Sequence, residues 1–246
     1  KFSRTAKNYF FMIKNKKILA VIPARGGSKG VKLKNLLKIQ GISITSRATL
    51  LASKLNVIDK VLVSSDNDEI LKDVSKINER ICLKRPSQLS GDRVSDIRVL
   101  KHALQMAEKR EKTTFDLIVM LQPTSPMRSK HEVLESINIF IENNHDSVWS
   151  VSGVDLKYHP YKQLWISNSN QLKYFDENKG EKIIARQQLR ETYYRNGAVY
   201  VLSRNLVLSG KSLMGKNPGF FKSKKSHISI DNKEEFIKVK GIIEKK

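Results

Sequence analysis

Short apolar runs alternate along the chain with segments in which apolar side chains recur every three or four residues. The runs are typical of strands buried in a sheet, and they lie at 18–22, 61–66, 81–83, 116–122 and 147–152. The periodic segments are typical of amphipathic helices, and they lie at 45–55, 66–77, 95–107 and 131–143. This alternation predicts βαβ units, and we therefore predict an α/β fold with a doubly wound, mostly parallel, Rossmann-like sheet.

The alternation stops after Val154. Two β-type runs, at 162–166 and 171–175, flank a Ser/Asn-rich turn and predict a hairpin within an excursion over 155–192. The excursion is either an exposed arm or a segment that packs on a second subunit. A strand at 198–203 then returns to the sheet.

The chain ends in a predicted helix over 232–243. We interpret residues 17–246 as one domain that contains the excursion. Residues 1–16 are basic and lack a clear periodicity, which indicates a flexible leader without a role of its own.

Composition and charge narrow the function classes. The chain has 46 basic and 24 acidic residues, a net charge of +22, which would suit a nucleic-acid-binding module. The lysines are spread along the chain, and no nucleic-acid-binding motif accompanies them. We therefore keep nucleic-acid binding only as an alternative function. No apolar run approaches the roughly 20 residues of a membrane span, so we expect a cytoplasmic protein without a membrane partner. The single cysteine, Cys82, excludes an internal disulfide, and the five histidines lack the spacing of a zinc site.

Candidate chemistry is concentrated in the loop after the first strand. Pro23 ends that strand, and the following residues intersperse cations with glycines: Arg25, Lys29, Lys32 and Lys34 with Gly26, Gly27 and Gly30. Glycines let a backbone approach a ligand closely, and cations neutralise its charge, so this loop suits a polyphosphate. The spacing matches neither common phosphate-binding glycine motif. A plain strand-to-helix turn with solvated lysines is the alternative interpretation.

Polar side chains also follow two later strands. Asp66 and Gln122 come at strand ends, and in an open α/β sheet ligands bind beyond the carboxyl ends of the strands. We expect both residues beside the glycine loop. Asp66 should also cap the next helix, with Glu69 in capping-box spacing. Arg128 is expected to be a surface charge flanking a helix.

Several segments resemble the CMP-sialic acid synthetases (acylneuraminate cytidylyltransferases). The motif PARGGSKG at 23–30, followed by Lys34 and Asn35, resembles the signature of that family, and the resemblance extends over roughly residues 17–243. Further matching segments lie at 63–66, 85–92, 121–128, 186–188, 196–200 and 230–231.

The resemblance implies an enzyme with a nucleotidyltransferase sheet. It would couple CTP to a nonulosonic (sialic-type) acid, giving a CMP-sugar acid and pyrophosphate. It implies Mg²⁺ as cofactor and a homodimer in which 155–192 is the dimerisation insertion. The runner-up function is nucleotidyl transfer on the same fold with another sugar or base, such as sugar-phosphate guanylyl transfer.

The resemblance also assigns roles to residues at the matching positions. The catalytic cations are Arg25, Lys29 and Lys34. The nucleotide would be held by Ala24, Gly26, Gly27, Ser28, Asn35, Arg85, Asp92 and Ser95. The sugar acid would be held by Gln122, Arg186, Arg195 and Tyr194. Asp231 is the metal ligand, and no residue stands out as a general base.

Three departures from the family pattern leave questions open. Val31-Lys32-Leu33 replaces the usual proline after the glycine loop. Arg195 directly precedes Asn196 without the usual spacer, so either Arg195 or Tyr194 faces the carboxylate. Ser229 stands where the metal motif usually has its first aspartate. Asp231 is alternatively the N-cap of the last helix, with Glu234 in capping-box spacing.

Overall fold

A mixed seven-stranded sheet forms the centre of the protein. The computed structural model describes residues 16–27, 30–183 and 185–245, so 1–15 of the expected leader lie outside the described residues. Within the described ranges the strands of this sheet are β1 (Ile18–Pro23), β4 (Lys60–Ser65), β5 (Cys82–Lys84), β6 (Leu117–Met120), β7 (Ser147–Gly153), β10 (Tyr193–Ser203) and β11 (Pro218–Lys222). Their order is β11-β7-β10-β6-β1-β4-β5.

The strand directions confirm the prediction of a mostly parallel α/β sheet. β1 is parallel to its neighbours β4 and β6, and β4 is parallel to β5. β10 is antiparallel to both β6 and β7, and β11 is parallel to β7. The strand β11 was not predicted, because it begins with Pro218 and Gly219, a pair that is typical of a turn. The first five residues of β1 are fully buried, as expected for a central strand.

Helices cover both faces of the sheet, which makes the fold doubly wound. The helices in the described ranges are α1 (Ile44–Ser53), α2 (Asp68–Ser75), α3 (Asp96–Glu111), α4 (Lys130–Glu142), α5 (Glu177–Gly180), α6 (Arg204–Ser209) and α7 (Lys233–Glu244). α1, α2 and α4 pack on one face through side chains such as Ala48, Val74 and Ile137. α3 and α6 pack on the other face. No helix in these ranges combines the length and apolarity needed to cross a membrane.

Two small two-stranded sheets stand apart from the central one. β2 (Lys38–Ile39) and β3 (Ile42–Ser43) pair beside α1. β8 (Leu164–Ile166) and β9 (Leu172–Tyr174) form the predicted hairpin around the Ser/Asn turn. The hairpin exposes apolar side chains: Leu164 at 48%, Ile166 at 68% and Leu172 at 68%.

Three polar residues differ from their predicted placement. Asn67, not Asp66, caps α2, since its side chain accepts a hydrogen bond from the Ile70 amide at 3.0 Å. Asn232, not Asp231, caps α7, in a capping box with Glu235. Arg128 is 5% exposed rather than a surface charge. The two helix caps are each displaced by one residue from the prediction, and Arg128 is buried. Both kinds of difference depend on how the loops pack against the sheet, which residue spacing along the chain does not encode.

A buried polar network holds the segment that leads to α7. The Glu132 carboxylate lies 2.7 Å from His227 Nε2 and accepts a 2.7 Å hydrogen bond from the Ser223 hydroxyl. It also accepts hydrogen bonds from the Ser129 amide and hydroxyl. Burial alone would raise the pKa of Glu132, but these hydrogen bonds lower it to about 2. The ionised carboxylate therefore joins α4 to the segment after β11.

We expect this network to make the fold sensitive to acid. A carboxyl whose pKa is lowered on folding stabilises the fold above its unfolded pKa of about 4.3, and this stabilisation is lost as the pH falls towards about 2. The free energy of unfolding should fall by about 2 kcal/mol between pH 6 and pH 3 from Glu132 alone. Urea denaturation of Glu132→Gln should lack this part of the pH dependence, whereas Glu142→Gln, exposed on the same helix, should keep it. Parallel pH profiles for the two variants would contradict the prediction.

Candidate active site

A cleft of about 280 Å³ opens at the carboxyl end of the parallel strands. The loops after β1, β5 and β6 and the start of α3 line it. Its charged and amide side chains are Arg25, Lys34, Asn35, Arg85, Asp92, Asp96 and Gln122. The predicted convergence of the glycine loop and Gln122 at one edge of the sheet is therefore observed. Cations, carboxylates and amides face one another there.

The glycine loop begins as a backbone turn held from several sides. The Ala24 amide donates to the Ser64 carbonyl at 2.9 Å, and the Gly26 amide donates to the Asp66 carboxylate at 3.0 Å. The Asn35 side chain donates to the Arg25 carbonyl at 2.8 Å and so closes the loop. Asp66 thus anchors the loop instead of capping α2. Ser28 and Lys29, which were predicted to bind phosphate, lie outside the described residues.

The far end of the loop packs against the segment that carries Asp231. A Cβ atom at Gly30 would lie 2.2 Å from the Asp231 carbonyl oxygen, so only glycine fits there. Lys34 extends into the cleft, and its Nζ lies 2.8 Å from Asp231 Oδ1. Because Asn232 supplies the helix cap, the Asp231 carboxylate is left to this ion pair and is 67% exposed.

Arg85 is a buried cation at the wall of the cleft. It is 5% exposed, and its Nε and Nη2 atoms make no hydrogen bond within the described part of the chain. Burial lowers the pKa of the Arg85 guanidinium, and the carboxylates of Asp66 and Asp96 oppose this shift. Asp66 Oδ1 lies 3.6 Å from Nη2, longer than a hydrogen bond. Buried donors without partners are costly, which indicates that a ligand completes them.

Arg25 and Asp92, which also line the cleft, form an ion pair with Nη1 and Oδ1 2.7 Å apart. Both side chains remain partly exposed, so the pair is open to competition from an anion. Ser95 occupies the N-cap position of α3 and is exposed. Its side chain accepts no hydrogen bond from the start of that helix in the structure.

Gln122 lies at the centre of the cleft, where it contacts a residue that the sequence did not single out. Its Nε2 donates to Asp96 Oδ2 at 3.1 Å. Asp96 is the first residue of α3, and nothing in the periodicity of that helix distinguishes it from a solvated helix-start carboxylate. Only its position, one residue after the predicted nucleotide-binding residue Ser95, could have marked Asp96 as part of the site.

The structure distinguishes Arg195 from Tyr194. Arg195 lies near enough to Asp96 for its charge to limit the rise that burial causes in the pKa of that carboxyl. Tyr194 points to the other face, where its hydroxyl donates to the His227 carbonyl at 3.2 Å, as expected for adjacent strand residues. Arg186 lies in an exposed turn, and its charge acts on Asp155. Neither Arg186 nor Arg195 is among the residues that line the cleft, and only Arg195 acts on a carboxylate inside it.

The residues present fit a divalent cation only in a shared site. Among the described residues, no group of three or more histidine, cysteine, aspartate or glutamate side chains could hold a metal ion. Asp231 is a single accessible carboxylate beside the cation-lined loop. Mg²⁺ is often held by one or two carboxylates together with water and the phosphates of a substrate. Asp231 could supply one such carboxylate, because its side chain is 67% exposed.

Comparisons with known proteins agree with this geometry. The sequence profile described as "Cytidylyltransferase" matches residues 19–243. CMP-N,N'-diacetyllegionaminic acid synthase from Campylobacter jejuni is 29% identical over 92% of this chain and 94% of the relative. N-acylneuraminate cytidylyltransferase from Streptococcus agalactiae is 28% identical over 92% of this chain and 53% of the relative.

A solved structure shares the fold. CMP:2-keto-3-deoxy-manno-octonic acid synthetase complexed with CTP has a TM-score of 0.70 and 17% identity, and the match covers 93% of this chain and 99% of that one. The family resemblance and the nucleotidyltransferase sheet predicted from the sequence are thereby confirmed.

Proposed function

The chain belongs to the cytidylyltransferase family, and from this premise we propose that it couples CTP to a nonulosonic acid, releasing pyrophosphate. One observation carries the proposal beyond the family. A buried arginine with unpaired donors, Arg85, shares a cleft with the phosphate-type cations Arg25 and Lys34. A nucleoside triphosphate offers partners to both: a base with hydrogen-bond acceptors and a chain of anionic oxygens.

In the proposed reaction a hydroxyl of the sugar acid attacks the α-phosphorus of CTP. The hydroxyl loses its proton to water, the bond between the α-phosphorus and the bridging oxygen to the β-phosphate breaks, and pyrophosphate leaves with that oxygen. Negative charge grows on the phosphate oxygens, so fixed cations stabilise the transition state more than the ground state. Lys34 is suited to this role because it extends from the glycine loop into the cleft.

We propose that Arg85 binds the cytosine base of CTP. A guanidinium has a planar fork of donors and no acceptor, which suits the carbonyl and ring nitrogen acceptors of cytosine. Arg85 is held by its backbone, because its amide donates to the Ser65 carbonyl at 2.8 Å. Its fork is therefore presented by the end of the sheet and not by a mobile loop.

We assign the carboxylate of the sugar acid to Arg195, with Gln122 as a neutral partner for the sugar. Arg195 is exposed on β10, its charge acts on Asp96 in the cleft, and its guanidinium can take a carboxylate in two parallel hydrogen bonds. Tyr194 and Arg186 do not share this position in the single chain. A role for Arg186 would require it to reach the cleft of a second copy.

The test of the function is pyrophosphate release with each of the four nucleoside triphosphates. The acceptors would be N-acetylneuraminate, legionaminate, pseudaminate and 3-deoxy-octulosonate. We expect release with CTP and one or more of these acids. Release with GTP and a sugar phosphate would favour the runner-up transfer, and binding to nucleic acid without release in any mixture would favour the alternative of a basic binding module. A cytoplasmic location stays a prediction.

We further propose Mg²⁺ as cofactor, held by Asp231 together with nucleotide phosphates. Replacing Asp231 with asparagine should raise the Mg²⁺ concentration for half-maximal turnover by about tenfold, because one charged ligand becomes a neutral one. The melting temperature should stay within about 2 °C, since Asn232 caps α7. Titration of activity with Mg²⁺ measures the first effect and thermal unfolding the second. Asp68→Asn, an exposed carboxylate outside the cleft, is the control. Unchanged Mg²⁺ dependence would exclude the assignment.

A homodimer through the β8–β9 hairpin is also proposed. An isolated two-stranded hairpin is marginal in water, and this one exposes Trp165 and Phe175 in addition to its leucines and isoleucine. A patch of that kind marks a protein interface. Replacing Leu164, Ile166 and Leu172 with serine should convert a dimer into a monomer in sedimentation velocity, at unchanged far-ultraviolet circular dichroism. A wild-type chain that sediments as a monomer at micromolar concentration would contradict the proposal.

A further inference from the structure

Asp96 holds one end of the Gln122 amide. The carboxylate oxygen Oδ2 accepts the hydrogen bond from Nε2 at 3.1 Å, inside the cleft. Asp96 comes from the start of α3 and Gln122 from the loop after β6, so the contact joins two walls of the site.

The other end of the amide lies over a glycine with a left-handed backbone. Gly197 has a φ of +69°, and a Cβ atom there would lie 2.6 Å from Gln122 Oε1. The buried Arg128 fixes the surrounding backbone, because its Nε donates to the Ala198 carbonyl at 2.7 Å and its Nη2 to the Gln122 carbonyl. The Gln122 amide therefore lies between Asp96 and Gly197, and Arg128 holds the backbone on both sides of it by hydrogen bonds.

We propose that Asp96 is a positioning residue that sets the orientation of the Gln122 amide and thereby the acceptor substrate that the cleft takes. An ionised carboxylate only accepts hydrogen bonds. If the amide turned over, Oε1 would face Oδ2, and two acceptors would meet without a proton between them. With Asp96 in place, the cleft receives Oε1 as an acceptor and the second Nε2 hydrogen as a donor. That pair suits a neutral sugar hydroxyl or N-acyl group.

Three cations near Asp96 favour its ionised form. Burial leaves the pKa of Asp96 above its ordinary value, and the Gln122 hydrogen bond together with the guanidinium groups of Arg195, Arg85 and Arg25 limits that rise. These three cations come from β10 and from the loops after β5 and β1. Removing the Asp96 charge leaves them uncompensated, so it should not weaken the binding of CTP, an anion. An amide-orienting role therefore predicts an effect on the sugar acid and not on the nucleotide.

The inference rests on the proposed function for the identity of the acceptor, but its first test needs no substrate. In the free protein, the Gln122 side-chain amide is observed by ¹⁵N NMR and assigned through Gln122→Glu. We expect the Nε2 proton that is bonded to Asp96 to resonate downfield of a solvent-exposed glutamine amide proton in the wild type and in Asp68→Asn. In Asp96→Asn, which lacks the charge and can both donate and accept, we expect this downfield shift to be lost. Identical Gln122 signals in wild type and Asp96→Asn would overturn the inference, whatever the activity of the enzyme.

The second test is a double-substitution cycle in steady-state kinetics. Asp96→Asn should lower kcat/KM for the sugar acid by about tenfold, the loss of one charge-assisted hydrogen bond, with KM for CTP unchanged or lower. In the Gln122→Ala background the same substitution should change kcat/KM by less than about twofold, because the partner is gone. Additive losses would show that Asp96 acts on the substrate directly and would overturn the positioning role. If no acid is turned over while the NMR result holds, the proposed function fails and the positioning of Gln122 stands.

Discussion

Replacing Arg85 with methionine is expected to raise the KM for CTP by about 10- to 100-fold. A hydrogen bond to a charged group is worth about 1.5–3 kcal/mol, and Arg85 has two buried donor atoms that make no hydrogen bond in the described chain. Methionine keeps the unbranched stem and most of the packing. The expected loss is therefore one of binding, measured as KM for CTP and as Kd by calorimetry.

The same substitution should leave the protein as stable or make it more stable. A buried cation with unsatisfied donors costs free energy in the absence of ligand, and an apolar side chain of similar length removes that cost. Thermal unfolding without nucleotide should show an equal or higher Tm for Arg85→Met, and CTP should raise its Tm less than that of the wild type. Arg80→Met, at an exposed arginine, is the matched control. A lowered Tm with normal KM would mean that Arg85 is a structural residue only.

Replacing Lys34 with methionine should lower kcat by about 100-fold. Removal of one preorganised donor to a developing oxyanion typically costs about 2.7–4 kcal/mol in the transition state. The Lys34 side chain lines the cleft, is 14% exposed, and is held by an ion pair with Asp231, so few of its rotamers have to be excluded when it binds an anion. Single-turnover measurement of pyrophosphate release separates this effect from binding.

Lys32→Met is the matched control for Lys34. Lys32 belongs to the same loop but is exposed and does not line the cleft, so its loss should change kcat by less than about twofold. Equal effects of the two substitutions would indicate that the loop acts through its overall charge. Normal turnover in Lys34→Met would remove the lysine from the proposed reaction.

The order of strands and helices along the chain was predictable, because buried elements have characteristic patterns of apolar residues. β1 and β6 are apolar on both faces, and α3 and α4 repeat apolar residues at helical spacing. The direction of β10 was not predictable, because an antiparallel strand in a buried sheet has the same apolar pattern as a parallel one. Only the pairing of β10 with β6 and β7 reveals it.

Residue type and short spacing were enough to predict the family, the glycine loop, and the positions of Asp66 and Gln122 at strand ends. What those residues contact depends on the tertiary fold. It gave the helix caps to Asn67 and Asn232, which left Asp66 for the Gly26 amide and Asp231 for Lys34. It also brought Asp96 to Gln122, 26 residues away along the chain. Such contacts depend on how the loops pack at the end of the sheet. Hydrogen bonds between residues far apart in the chain leave no repeating pattern in the sequence from which they could be predicted.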